Sequence, residues 1–339
     1  MSGLKTHDEV DAATWDAFAV AHSTTPYPQS TRHAEYARAC YGLTPIYYAH
    51  QIEDARLQCL LLMDEARATI KWSCGPVLSG DSGSFARLTG AFVERVSDLR
   101  CRIRSTTSVE LDGLNALLAC NDLLRHTRSA GIADHLGAMI KKDLTSDVWE
   151  SAVYRSAGKK RKTKAIVDKS KRDGISVACV GDGLPFGVEE AYLRHYRDLM
   201  QAGFARNGVE TQDADAAARA ILEQDRCGES RTFFALFGNT VVACLNIAIA
   251  GDEAYLRKLA HTGSNEAGYS GATYQAMMAA AEWAQSAGLR TMNLTLVRLA
   301  PDRKTRNIRQ FKTRFGGTPR PVFEFSGRMG ADGPPSVQG

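Results

Sequence analysis

Residues 230–297 read SRTFFALFGNTVVACLNIAIAGDEAYLRKLAHTGSNEAGYSGATYQAMMAAAEWAQSAGLRTMNLTLV. Residues 231–260 are rich in β-branched and aromatic side chains and carry a Gly-Asn turn, which predicts a three-strand meander. A glycine-bearing segment interrupts the pattern and precedes a helix predicted over residues 272–288. TMNLTLV after that helix predicts one more strand. This stretch therefore predicts an antiparallel meander, a loop, a helix and a further strand, in that order.

The same order occurs once before in the chain. RLQCLLLMDEARATIKW, residues 56–72, predicts strands, and SGDSGS forms the glycine-bearing segment after them. FARLTGAFVERVSDLR then predicts a helix, and CRIRSTT predicts a strand. The two stretches barely match residue for residue, so the repeat lies in the elements. Chance agreement of common elements is one explanation, and a duplicated α/β unit is the one we adopt.

Length and charge support two domains of different character. The chain has 339 residues, 44% hydrophobic, which suffices for two cores. We place domain 1 at residues 1–148 and domain 2 at residues 149–317, with residues 318–339 packing back on domain 1. Residues 1–150 carry 15 basic and 19 acidic side chains, a net −4, whereas residues 151–339 carry 27 and 19, a net +8. The basic half is the one expected to meet a polyanion.

Several classes of protein are disfavoured by the composition. No apolar run approaches the roughly 20 residues that span a bilayer, and the N-terminal residues are too polar for a secretory signal. The eight cysteines are scattered, without a CxxC pair or a Cys/His cluster. We therefore expect reduced thiols, a cytoplasmic location, no membrane contact and no metal site.

One short stretch carries a candidate for chemistry. In RQFKTRFGG, residues 309–317, Phe311 and Phe315 are four apart and share a helix face, and Lys312 lies beside that face. Lys312 is then either a solvated charge at the edge of a core element or an ammonium directed at a negative group.

Basic residues gather around this stretch and in an earlier segment. Residues 151–173 predict one strongly basic helix, and residues 303–314 contain no acidic side chain. A solvated surface explains either cluster alone, whereas two clusters in one half favour contact with nucleic-acid phosphates. The candidate residues are Lys159, Lys160, Arg161, Lys162, Lys164, Arg303, Lys304, Arg306, Arg309 and Arg314.

The repeated unit resembles the acetyltransferase fold of the GNAT superfamily, and three stretches resemble the Fem family of tandem GNAT-like proteins. They are PYPQSTRHAEYARACYG at residues 26–42, YRSAGKKRKTKAIVDKSKRDGISV at residues 154–177, and residues 271–322, which include Phe-Lys-x-x-Phe-Gly. His33 stands where the family usually has tryptophan. The resemblance implies an α/β (α+β) fold of two tandem domains, each a mixed, mainly antiparallel sheet flanked by helices.

The resemblance also implies an activity. Fem-family enzymes transfer an amino acid from aminoacyl-tRNA to an amine, and they need no cofactor because the ester is already activated. Lys312 would contact the tRNA terminus and steady the transition state, with Phe311 as its packing neighbour. The two basic clusters would then hold tRNA. A monomer is compatible with this activity.

Acceptor-binding residues follow from the same resemblance. Arg206 and Tyr255 match family positions that bind the phosphates of a nucleotide-linked peptide, and Arg38 corresponds to a basic residue of the first domain. Glu210 replaces a tyrosine expected four residues after Arg206. That departure leaves open a cell-wall nucleotide-peptide and a smaller peptide-like acceptor of natural-product biosynthesis.

Two other functions fit the same sequence. An acyl-CoA-dependent N-acyltransferase would use the glycine-bearing loop for pyrophosphate, although residues 263–271 lack a clean Arg/Gln-x-x-Gly-x-Gly/Ala pattern. A non-catalytic RNA-binding module would explain the basic clusters, but it gives no reason for the packing expected around Lys312.

Overall fold

The computed structural model describes residues 3–99, 101–108, 133–156, 159–180, 189–207, 213–262, 271–298 and 303–328. The chain divides into two compact units. Unit 1 contains residues 1–38, 42–139 and 320–339, and unit 2 contains residues 39–41 and 140–319. Within the described residues, no helix is long and apolar enough to cross a membrane.

Unit 1 is a mixed sheet with helices. Its strands lie in the order β1-β2-β3-β4-β6-β15, with β5 on β3, and only the β4–β6 pair is parallel. The elements are β1 (Gly3–Lys5), α1 (Ala12–His22), α2 (Thr31–Tyr41), β2 (Thr44–Ile52), β3 (Ala55–Asp64), β4 (Thr69–Ser73), β5 (Val77–Ser79), α3 (Ser82–Asp98), β6 (Arg102–Ser108) and β15 (Thr318–Arg328).

The core of unit 1 forms where α3 covers the sheet. Leu88 and Phe92 of α3 are fully buried, and they recur at the four-residue spacing that keeps one helix face against a partner. The Phe92 ring packs edge-on against Trp72 of β4 and Tyr48 of β2. The predicted order of meander, loop, helix and strand is therefore present in this unit.

Gln29, in the stretch that resembles the Fem family, has a structural position. Its side chain is fully buried, accepts a hydrogen bond from the Leu60 backbone N–H at 2.8 Å and donates one to the Ser73 carbonyl at 2.8 Å. Its own carbonyl accepts from the Trp15 indole N–H at 2.7 Å. Gln29 thus joins β3, the end of β4 and α1, and a change there affects the fold of unit 1.

Gln29→Leu is expected to lower the free energy of unfolding by about 2–4 kcal/mol, because it leaves a buried N–H and a buried C=O without partners. Urea denaturation followed by circular dichroism measures the loss. Gln51→Leu is the control, since Gln51 is exposed and its hydrogen bond to Glu53 is solvated. Equal midpoints for the two variants would contradict the structural role of Gln29.

Unit 2 repeats the same arrangement. Its strands lie in the order β14-β13-β12-β11-β10, and only β13–β14 is parallel. The elements are β7 (Ala133–Asp143), whose last residues belong to this unit, β8 (Val153–Ser156), β9 (Lys159–Lys162), α4 (Thr163–Arg172), β10 (Ile175–Cys179), α5 (Glu189–Asn207), α6 (Ala214–Arg226), β11 (Ser230–Phe237), β12 (Thr240–Ala250), β13 (Glu253–His261), α7 (Ala272–Ser286), β14 (Thr291–Arg298) and α8 (Arg303–Thr313).

The single basic helix predicted over residues 151–173 is wrong in its first half. β8 and β9 pair as an antiparallel hairpin, from Val153 with Lys162 to Ser156 with Lys159, and the helix begins at Thr163. Thr163 is fully buried and donates its hydroxyl to the Arg314 carbonyl at 2.5 Å. This tertiary contact fixes the helix start at a point that the basic composition of the segment does not mark. Residues 115–126 also carry an apolar pattern that predicts a helix, and they lie outside the part of the chain that the structure describes.

Strands β13 and β14 pair over only part of their length. Their parallel ladder pairs Glu253–Tyr255 with Thr291–Asn293, yet both strands continue, to His261 and Arg298. Beyond Asn293, β14 runs beside β13 without that ladder. The register of β12 and β13 also shifts between Asn246 and Ile247, which adds a β-bulge on the other side of β13. The parallel ladder therefore ends at Tyr255 and Asn293.

Candidate active site

Lys312 lies in the last turn of α8, and its side chain points at Thr295 and Leu296 of β14. Its side chain is buried, with 8% of the residue exposed. The Nζ donates to the Thr295 hydroxyl at 2.6 Å and to the Leu296 carbonyl at 3.1 Å. Both acceptors come after Asn293, the last residue of β14 that pairs with β13. The ammonium therefore bonds the part of β14 that lies beyond its ladder with β13.

Three aromatic rings pack against one another at the end of α8. Phe311 and Phe315 are 5.1 Å apart between ring centroids, and Tyr274 of α7 lies 5.1 and 5.5 Å from them. Phe315 is fully buried, whereas Phe311 and Tyr274 are half-buried. The four-residue spacing brings Phe311, in the last turn of α8, next to Phe315 in the turn that follows the helix.

The acceptor side of the contact is held by an unusual backbone. Thr295 has a φ of +65°, a region that β-branched residues rarely adopt, and its N–H donates to the Asn293 side-chain oxygen at 2.9 Å. Asn293 in turn donates to Glu253 at 3.3 Å, and Glu253 pairs with Lys141 at 2.9 Å. This connected set of buried polar groups holds Thr295 opposite Lys312.

The charge of Lys312 is weakly favoured at its position. Burial lowers the pKa of its ammonium from 10.5 to about 7. Burial also raises the pKa of the Glu253 carboxyl, with Lys141 opposing the shift. A lysine with a pKa near neutrality is typical of functional sites, although buried structural lysines share the property.

Lys142 shows the difference between a satisfied and an unsatisfied buried lysine. It is fully buried, and its Nζ has three neutral acceptors at 2.6–2.8 Å, one for each N–H of the ammonium. In the described part of the chain, Lys312 has only two acceptors for its three donors. Lys312 can therefore donate one more hydrogen bond to a bound group, and Lys142 cannot.

The residues predicted to bind tRNA are partly placed by the structure. Lys162 and Lys164 are exposed at the start of α4, and Arg306 is exposed on α8. Arg309 and Arg314 are half-buried, and Arg314 donates to the Tyr274 hydroxyl. The other five lie in β9 and at the start of α8, and their side chains are outside the description; they are Lys159, Lys160, Arg161, Arg303 and Lys304.

The predicted acceptor residues occupy three separate elements. Tyr255 is half-buried on β13 and pairs with Asn293 in the last pair of the parallel ladder. Arg206 is in the last turn of α5, and its side chain lies outside the description. Arg38 is exposed on α2 and belongs to unit 1. Of these three residues, Tyr255 is the one placed at the end of the β13–β14 ladder, just before the part of β14 that Lys312 bonds.

Sequence reasoning missed a buried polar network in unit 2. Asp225 at the end of α6 accepts from the hydroxyls of Tyr192 and Ser230, and burial raises the pKa of its carboxyl. Arg257 donates to Asn246 at 2.6 Å across the β12–β13 bulge. Tyrosine, aspartate and arginine on separate elements give no local pattern, so no signal in the sequence pointed to this network.

A cavity of 360 Å³ lies elsewhere in unit 2, between α4, β10 and α7. Its lining includes Trp149, Lys171 and Gln275, and none of the residues predicted to be catalytic or acceptor-binding. Gln275 is tied to Ser170 and to the Ile175 carbonyl, so this lining is already internally bonded. The cavity supports no part of the predicted chemistry.

Comparisons with known proteins agree on the fold. No protein-family model and no curated protein matches the sequence. A crystal structure of FemX is similar over 95% of this chain and 96% of its own, at 13% identity and a TM-score of 0.63. The structure of L-PGS from Bacillus licheniformis is similar over 96% of this chain and 94% of its own, at 13% identity and a TM-score of 0.56. A tandem GNAT protein from the clavulanic acid biosynthesis pathway is similar over 98% of this chain and 100% of its own, at 11% identity and a TM-score of 0.55. The predicted tandem GNAT-like, Fem-like fold is confirmed.

Proposed function

We propose that this chain is an aminoacyltransferase that moves an amino acid from aminoacyl-tRNA to the amine of a peptide or peptide-like molecule. The observation that carries the proposal is Lys312, a buried ammonium that has two acceptors for its three N–H groups among the described residues and that bonds β14 beyond its ladder with β13. The fold shared with FemX supports the choice of donor substrate, because the Fem-like stretches of the sequence imply aminoacyl-tRNA.

The chemistry needs little from the protein. The neutral acceptor amine attacks the ester carbonyl carbon, and the carbonyl oxygen becomes a tetrahedral oxyanion. The third N–H of Lys312 stabilises that oxyanion. The C–O ester bond then breaks, the amine proton passes to the released ribose oxygen, and an amide is left. Since the ester is already activated, the reaction requires no cofactor or metal, and holding both substrates together supplies much of the acceleration.

The tRNA is held by its phosphates. Lys162 and Lys164 at the exposed start of α4, together with Arg306 on α8, offer sequence-independent contacts. The acceptor, a cell-wall precursor or a peptide-like natural product, is held by Tyr255 at the end of the β13–β14 ladder, with Arg206 and Arg38 as further candidates. We place the reaction in the cytoplasm, where charged tRNA is made, and propose a monomer as the active form.

The direct test is incubation with each charged tRNA and a panel of amine acceptors, with products read by mass spectrometry. An amide of one amino acid and one acceptor, formed only with the charged tRNA, is the expected result. Transfer from acetyl-CoA in its place would favour the alternative N-acyltransferase, which the tandem GNAT neighbour makes a specific rival. RNA binding with no product from either donor would leave a non-catalytic RNA-binding module.

Neutralising α4 should weaken tRNA binding without changing the chemical step. The double variant Lys162→Ala/Lys164→Ala is expected to raise the KM for tRNA, leave kcat unchanged and reduce the slope of log K against log salt by about 2, one per phosphate contact. Filter binding at several salt concentrations measures the slope. Arg219→Ala/Arg226→Ala, two exposed charges on α6, is the matched control. The same slope in both double variants would remove α4 from the interface.

A further inference from the structure

The residue that fixes the end of α8 is Lys142, on β7. Its buried Nζ donates to the carbonyls of Val148 and Phe315 at 2.8 Å each and to the Ser151 hydroxyl at 2.6 Å. Phe315 is the second residue after α8, which ends at Thr313, so its carbonyl lies near the negative end of the helix dipole. One ammonium therefore ties the end of α8 to the segment around residues 148–151.

The two glycines after Phe315 are closely packed against neighbouring residues. Gly316 has a φ of +81°, and a Cβ there would lie 1.9 Å from the Ser151 carbonyl oxygen. A Cβ on Gly317 would lie 2.4 Å from the Ile140 side chain. The preceding carbonyl, of Arg314, accepts from Thr163 of α4. The Phe-Gly-Gly end of RQFKTRFGG is thus closely packed and hydrogen-bonded, and it fixes where α8 ends.

Lys312 is only three residues from Phe315, and the Phe315 N–H donates to the Lys312 carbonyl at 3.2 Å. Any displacement of the helix end is transmitted to the Lys312 Nζ and its contacts on Thr295 and Leu296. Reactions that depend on a positioned group lose about 10²-fold for a displacement near 1 Å. We propose that Lys142 is a positioning residue, which holds the end of α8 so that Lys312 stays buried against β14.

This proposal deepens the proposed function, on which its kinetic part rests, but its main test requires no substrate. Lysine labelled with ¹³C at Cε reports the titration of Lys312 by NMR, with the resonance assigned by its absence from Lys312→Met. In Lys142→Met the end of α8 loosens and water reaches Lys312. Its pKa is then expected to rise by about one unit or more towards that of a solvated lysine.

A purely stabilising role for Lys142 predicts another result, and a control separates the two. Tyr192→Phe removes a buried hydroxyl that bonds Asp225 and Thr232, away from α8. It should cost stability but leave the Lys312 titration unchanged. An unchanged titration in folded Lys142→Met would overturn the proposal.

A second variant covers the case in which Lys142→Met fails to fold. Ser151→Ala removes one acceptor of Lys142 and is expected to raise the Lys312 pKa in the same direction by a smaller amount; an unchanged titration would then overturn the proposal. If transfer is detected, kcat should fall about tenfold or more in Lys142→Met with KM for tRNA unchanged. If transfer is absent in the unmodified chain, the proposed function fails while the titration still decides the role of Lys142.

Discussion

Lys312→Met is expected to lower kcat for aminoacyl transfer by about 10²–10³-fold, the usual loss when one oxyanion donor is removed. Methionine fills nearly the same space as the buried lysine but donates no hydrogen bond. Binding of tRNA through the exposed basic residues should be retained. Single-turnover transfer from charged tRNA measures the loss, and wild-type transfer by the variant would end the proposed mechanism.

The variant should also stay folded, for a reason that the pKa provides. The folded-state pKa of Lys312, about 7, is below the 10.5 of the unfolded chain. Between these values the unfolded chain binds more protons, so stability rises with pH across that window, and below pH 7 the full cost of burying the ammonium is present. Lys312→Met at pH 6 is therefore expected to be at least as stable as the original chain. Gln310→Met, on the exposed side of α8, is the control for both measurements.

The pH dependence of transfer should follow the protonation of Lys312. With an acceptor hydrazide, which is unprotonated throughout the range, kcat/KM for tRNA is expected to be flat below pH 7 and to fall about tenfold per unit above it, because only the protonated Lys312 stabilises the oxyanion. The descending limb reports the free enzyme, whose Lys312 pKa is about 7. Initial rates over pH 5.5–9.0 measure it.

A general-base role predicts the opposite sign. If neutral Lys312 removed the proton of the amine, kcat/KM would rise through pH 7 and level off above it. Such a rise would contradict electrophilic stabilisation while leaving Lys312 essential. The two measurements together therefore separate the presence of the residue from its role.

The sequence predicts the fold well because both units use strong local patterns. The meander of β11 to β13 follows from β-forming residues and a Gly-Asn turn, and α3 and α7 follow from their apolar spacing. The basic segment from residue 151 was misread because composition does not separate a hairpin from a helix. There a tertiary contact, the hydrogen bond from the Thr163 hydroxyl to the Arg314 carbonyl, fixes where the helix begins.

The candidate site is predictable only in its local part. The four-residue spacing in Phe-Lys-x-x-Phe indicates that Lys312 lies beside a packed face. Its acceptors on β14 are 16 and 17 residues earlier in the chain, and the Lys142 contact with Phe315 spans 173 residues. In sequence, Lys141 and Lys142 look like a pair of surface charges. Only the packing of β7 against the end of α8 shows that Lys142 is buried.

The central claim is that Lys312 binds the tetrahedral state better than the ester, and affinity for two RNA analogues tests it directly. One analogue carries a planar amide in place of the ester, and the other carries an anionic tetrahedral phosphonate. We predict that the unmodified chain binds the phosphonate at least about tenfold more tightly, and that Lys312→Met loses this preference while binding the amide equally well. Equal affinity of the unmodified chain for both analogues, or a preference that survives in Lys312→Met, would contradict the account.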